Sequence, residues 1–210
     1  MTTTTTPTLR RGTPWWVPAL VLTATVGQLL LATLAPDLPQ FSGKAFGARL
    51  VAYPLMMLVA PAWWWLATRP GRRAGAEPSP RPTPPWGAFT LVMLPFLIDV
   101  TGNTLDLYDT VVWWDDANHF VNWFLLCAGI GLLACGAVRP RWAVVLLVAG
   151  LGALLAIGWE LGEWYTFIRH GTELGTAYED TLGDEALGSL GALLAGLVVA
   201  ATLSRRPPRG

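Results

Sequence analysis

The chain has 210 residues, 53% of them hydrophobic and only 13% charged, and its formal net charge is zero. A soluble domain carries roughly 25% charged residues, and a chain of this length cannot hide so much apolar surface in one globular core. The composition excludes a polyanion partner such as nucleic acid and fits a protein dissolved in a bilayer.

The opening "MTTTTTPT" is low in complexity, and residues 1–13 are expected to be a disordered tail. Six apolar segments of spanning length follow, at 14–36, 46–68, 86–108, 118–138, 141–166 and 184–203. The first is too long for a signal peptide, and Pro36 sits just after its small-residue site, so it is expected to be retained. A Pro/Arg-rich loop at about 69–85, "RPGRRAGAEPSPRPTPPW", separates the second and third segments and has no core-forming residues. A short tail, 204–210, ends the chain. The expected fold class is therefore all-α: a polytopic membrane domain of six transmembrane helices over 14–203.

Charge sets the expected orientation, because cytoplasmic loops collect Lys and Arg. Arg10 and Arg11 precede the first span, and Arg69, Arg72, Arg73 and Arg81 lie between the second and third. Arg139 and Arg141 lie between the fourth and fifth, and Arg205, Arg206 and Arg209 follow the sixth. These are eleven of the 14 basic residues, all on one side of a six-pass chain, which puts both termini in the cytoplasm. Of the 14 acids, Glu77 alone falls on that side. Acids contribute little to topology signals, so their sorting calls for another cause.

Several acids lie within the spans. Asp99 is well inside the third, in "LPFLIDVTGNTLDLYD". Asp116 and His119 are three apart at the start of the fourth, and Glu160 and Glu163 three apart near the outer end of the fifth. Asp180 and Asp184 are four apart where the sixth begins. Offsets of three and four put each pair on one helical face. Charge within hydrocarbon is costly and faces a partner or a cavity, so these faces are expected to line one outward-facing pocket, with Asn103 and Trp159 beside them.

Carboxylates held together repel, and some must be protonated or neutralised. Arg169 and His170 are the nearest local cations. A divalent metal neutralises better, and carboxylates with imidazole suit zinc, manganese or iron. Helical bundles build such sites from inward-projecting Glu and Glu-x-x-His pairs. Asp116, His119, Glu160, Glu163, Asp180 and Asp184 are the expected metal ligands, with Glu160 or Glu163 left as a general base. Plainer readings stand beside this one. Asp106, Asp109 and Asp115 read as solvated loop acids, and Asp116 or Asp180 as helix N-caps. A metal-free proton or hydrogen-bond network accounts for the same cluster.

The remaining features read as membrane architecture. "WWW" at 63–65, Trp113, Trp114 and Trp164 fall near helix ends, where aromatic belts sit. Trp123 and Trp159 lie deeper. Gly188, Ala192 and Gly196 form a small-residue face on the sixth span, and Gly158 and Gly162 another on the fifth, so these two helices are expected to touch there. Cys127 and Cys135 share one apolar run, about 12 Å apart if helical, and read as small packing residues rather than a disulfide.

The motifs "DVTGNTLDLYD", "WDDANHF", "WELGEW" and "DTLGDEALGSLGA", in this order over residues 86–196, resemble the bacterial inner-membrane family typified by YjdF. That resemblance implies functional weight at Asp99, Gly102, Asn103, Asp116, His119, Phe120, Glu160, Glu163, Trp164, Asp180 and Asp184. The wider pattern is similar to VanZ-like membrane proteins, with their Asp-x-x-His-Phe, a later Glu and an Asp opening the last helix. Those chains carry Asn four residues after that Asp, where this one has Gly188.

The leading expectation is an inner-membrane protein whose outward acidic pocket binds a divalent metal. If it is an enzyme, the reaction is hydrolysis or group transfer on a lipid-linked or envelope substrate, with membrane lipids as its surroundings. The alternatives are a proton- or cation-coupled transporter and a non-catalytic accessory protein of the envelope. No P-loop, dinucleotide, serine-hydrolase or DNA-binding signature occurs.

Overall fold

Each apolar segment becomes one long helix. The computed structural model describes residues 12–69, 82–166, 168–170 and 172–205. In it α1 is Trp16–Leu34, α2 Phe46–Ala67, α3 Trp86–Thr104, α4 the single turn Leu107–Thr110, α5 Trp114–Ala134, α6 Arg141–Thr166 and α7 Ala177–Ser204. All except α4 are long and apolar enough to cross a membrane, and no strand occurs among the described residues. The expected N-terminal tail, most of the Pro/Arg-rich loop and the end of the C-terminal tail lie outside the described residues. So do Arg10, Arg11, Arg72, Arg73, Glu77, Arg81, Arg206 and Arg209.

Among the boundaries that differ from the hydropathy reading, three have a local reason. The helix α5 starts at Trp114, not 118, and α7 starts at Ala177, not 184. Their first turns carry Asp115 and Asp116, and Glu179 and Asp180. Carboxylates are favoured beside the free N–H groups and positive pole of a helix start, so polar residues open these helices ahead of the apolar run. The capping positions are Trp113 and Thr176, with no side-chain cap bond at either, so neither Asp116 nor Asp180 is an N-cap. At the other boundary α3 ends at Thr104 rather than 108, because Asp106 takes a left-handed conformation with φ of 58°, which an α-helix cannot continue through.

Packing neighbours run α2, α1, α3, α5, α7, α6 around the bundle. In lipid, helices are held by close van der Waals fit rather than by burial from water, so small residues decide the contacts. A Cβ on Gly152 of α6 would run into Ala192 of α7 and the Cys127 sulfur of α5. One on Gly191 would strike the Phe120 carbonyl, and one on Gly196 the Val145 backbone. The expected contact of Gly188, Ala192 and Gly196 with their neighbours is therefore present. Gly158 and Gly162 behave differently. A Cβ at either would meet nothing within 4 Å, so α6 meets α7 through Gly152 and Ala156 instead, deeper in the bundle.

Two large buried clusters result, beside a small one of Ala60, Phe89 and Val92. One gathers Trp123, Cys127, Val144, Val148, Val199 and Leu203; the other gathers Leu29, Tyr53, Met57, Phe96 and Val100. Trp159 of α6 packs against both. Both cysteines are free and buried. Trp63, Trp65, Trp113 and Trp164 are exposed near helix ends, as an aromatic belt requires. Trp64 instead packs edge-on against Phe89, and Trp114 turns inward against Tyr108.

Candidate metal centre and its cavity

One end of the bundle collects the N-terminal ends of α2, α5 and α7 and the C-terminal ends of α3 and α6. At 1.5 Å per residue, Arg49, Asp99, His119, Glu160 and Asp184 all lie roughly 4–11 Å in from that end of their helices. Groups far apart in the chain are thus placed in one layer. The layer surrounds a cavity of about 870 Å³. Its polar wall includes Arg49, Asp99, Asp115, His119, Glu163, Asp180 and Asp184, and its apolar wall includes Phe96, Trp123 and Trp159.

His119 stands at the centre of one polar cluster. Its Nε2 lies 3.5 Å from Asp184 Oδ1 and 3.7 Å from Asp115 Oδ1, and its Nδ1 lies 4.0 Å from Glu160 Oε1. Asp184 is 5% and Glu160 7% exposed. Thr181 of α7 hydrogen-bonds Glu160. Asp115, His119 and Asp184 each offer a ligand atom, and these atoms all lie within 4.8 Å of one another. With metal–ligand bonds of about 2.1 Å the edge of a tetrahedron is roughly 3.4 Å, close to the two separations at Nε2. Two carboxylates and a neutral imidazole around a divalent ion sum to zero charge, which suits a site between apolar helices. The donor chemistry matches zinc, manganese or iron.

Asp99 anchors a second cluster in the same cavity. Arg49 Nη1 lies 3.1 Å from Asp99 Oδ2, and Tyr53 donates to that oxygen at 2.6 Å. Tyr108 donates to Oδ1 at 2.9 Å. Burial, and then the neighbouring Asp99 carboxylate, push the Tyr108 hydroxyl well above the usual phenol range, so it remains a donor. Asn118 donates in turn to the Tyr108 hydroxyl, and Asn122 donates to Asn118 Oδ1 at 2.6 Å. A chain of hydrogen bonds therefore runs from α3 through α4 to α5. Asn103 is buried and donates to the Asp99 carbonyl at 3.1 Å.

Among known proteins, the profile of the DUF2238 family, described as a predicted membrane protein, matches residues 79–205. The chain belongs to the DUF2238 family. No curated protein and no solved structure matches it. The DUF2238 match spans α3 to α7 and all four motifs that carried the resemblance read from sequence. It includes Asp115, His119, Glu160 and Asp184, whereas Arg49 and Tyr53 on α2 lie before it.

Within this DUF2238 chain the expected site residues separate by position. His119, Glu160 and Asp184 come together; Glu163, Asp180, Asp99, Asn103 and Trp159 line the cavity or its second cluster. Asp116 is exposed, and its neighbour Asp115 is the one beside His119. Asp115 was read as a solvated loop acid; it lies in the first turn of α5, four residues before His119. A signal for it existed. Asp115, Asn118, His119 and Asn122 form a polar stripe at helical spacing, whereas Asp116 shares its face with His119 but otherwise with Phe120 and Trp123. Arg49, Tyr53, Tyr108, Asn118 and Asn122 were not foreseen. Among the described residues the cations that line the cavity are Arg49 and Lys44, not Arg169, whose guanidinium sits 3.9 Å from the Tyr165 ring centroid. The side chain of His170 lies outside the described residues.

Proposed function

We propose that the chain is a metal-dependent enzyme of the bacterial cytoplasmic membrane, with both termini in the cytoplasm and the cavity facing outward. Asp115, His119 Nε2 and Asp184 hold one divalent ion. Glu160, with Oε1 4.0 Å from His119 Nδ1, stands behind the imidazole on the side away from Nε2, where a carboxylate orients a ligating histidine. Glu163, which also lines the cavity, serves as general base. The reaction is hydrolysis or group transfer on a lipid-linked or envelope substrate, in which a bound metal brings the pKa of a water ligand near neutrality. The likeness to YjdF and to VanZ-like proteins belongs to this reading as a shared arrangement of helices and acids.

The observation that carries it is the convergence of Asp115, His119 and Asp184, from two helices, on one point with ligand-like separations. A coupled transporter would need polar groups continuing toward mid-depth and beyond, and the titratable lining here stays toward one end of the spans. Elemental analysis of protein purified without chelator tests the proposal. Wild type and Asp116→Ala carry a stoichiometric divalent metal, whereas His119→Ala and Asp184→Asn lose most of it. Equal and negligible metal in wild type and His119→Ala would remove the reading.

A further inference from the structure

A cleft of about 240 Å³ opens from the cavity between α2 and α6. Its α2 wall is Ala45, Ala48 and Ala52; its α6 wall is Gly158 and Gly162. Arg49, Tyr53, Met56, Trp159 and Glu163 line cleft and cavity alike, so the two are continuous. These helices are the two ends of the packing order, and they meet at the Tyr53–Trp159 ring pair, centroids 6.3 Å apart. Ala48, Ala52, Gly158 and Gly162 are all exposed. The glycines of α6 and α7 that serve helix packing have a neighbour where a Cβ would go, as at Gly152 and Gly196; Gly158 and Gly162 have open space. Around them α6 presents Leu151, Leu154, Ile157 and Leu161 outward, and α2 presents Val51, Leu55 and Val59, so the mouth of the cleft faces hydrocarbon.

We infer that this cleft admits one hydrocarbon chain of a membrane phospholipid, with its phosphate drawn to Arg49 at the inner end. The inference deepens the reading of the cavity as a site for a lipid-linked substrate and rests on it. Arg49 uses Nη1 toward Asp99, and a guanidinium has five N–H donors in all, enough to hold Asp99 and a phosphate together. Small residues line both walls, and the charged groups of the cleft, Arg49 and Glu163, are those it shares with the cavity.

Photolabelling of the full-length protein in phosphatidylethanolamine vesicles tests this, with a diazirine on the acyl chain of a tracer phospholipid and peptide mapping of the adducts. Adducts on α2 and on 154–166 of α6 should exceed those at the lipid-facing Leu146 and Leu147 several-fold. Gly158→Leu/Gly162→Leu should abolish the excess, and Ala48→Leu/Ala52→Leu, on the opposite wall, should do the same if the first variant folds poorly. Diacylglycerol carrying the same label should show no excess. Uniform labelling, or equal labelling by diacylglycerol, would overturn the inference. His119→Ala should label like wild type, since the cleft walls are α2 and α6. Loss of metal binding with labelling intact therefore sinks only the metal reading, and loss of labelling with metal intact sinks only the cleft.

Discussion

Asp99 shows most clearly how one residue organises its surroundings. An ionised carboxylate inside a span is tolerated only if paired and hydrogen-bonded, and Asp99 has Arg49, Tyr53 and Tyr108 around its two oxygens. Removing one partner of a buried ion pair costs about 3–5 kcal/mol, because the other charge is left uncompensated. Asp99→Ala should therefore lower stability by about that amount in a detergent melt, and Arg49→Met/Asp99→Leu should recover most of the loss. A single variant as stable as wild type would contradict the pairing. Sequence spacing told that Asp99 needed a partner but not which one, since Arg49 is 50 positions away and belongs to a span that shows no motif. The choice between Asp115 and Asp116 was equally open at the level of spacing, because offsets of three and four both share a face with His119. The polar stripe of Asn118 and Asn122 favours Asp115, and the structure has Asp115 and Asp184 at 3.7 and 3.5 Å from His119 Nε2.

Helix placement was largely legible, because a spanning helix must present a long apolar run and little else in the chain does. The errors fell at helix starts and stops, where acids in the first turn of α5 and α7 and the left-handed Asp106 override hydropathy. Small residues were legible as packing signals but not as to which packed. Gly191 and Gly162 make the contrast testable. Gly191→Ala puts a methyl against the fixed backbone of Phe120, and overpacking of this kind costs about 1–3 kcal/mol. Gly162→Ala enters open space and removes a flexible residue from a helix, which should be neutral or stabilise by up to about 1 kcal/mol. Thermal melts of the two purified variants check this. Equal shifts would mean that α7 is not seated on α5 at Gly191.

At the scale of the whole molecule, the order α2, α1, α3, α5, α7, α6 leaves its two end helices parted at one end of the bundle, and the cavity and cleft lie between them. That arrangement could not be read from the chain, since it depends on which helices pack rather than on which exist. The orientation of the bundle is testable in cells. Alkaline phosphatase fused after residue 205 should be inactive, and the same enzyme inserted in the 35–45 connection should be active, because it folds only outside the cytoplasm. The reverse pattern would turn the cavity inward and remove envelope substrates from consideration. The account as a whole depends on a metal ion held where α5 and α7 meet. Anomalous diffraction from crystals of the full chain, collected across the absorption edge of the metal found by elemental analysis, tests it most directly. A peak about 2.0–2.2 Å from His119 Nε2 and from one oxygen each of Asp115 and Asp184 is the predicted result. Crystals that contain the metal but place the peak elsewhere, or show His119 turned away from both aspartates, would contradict it.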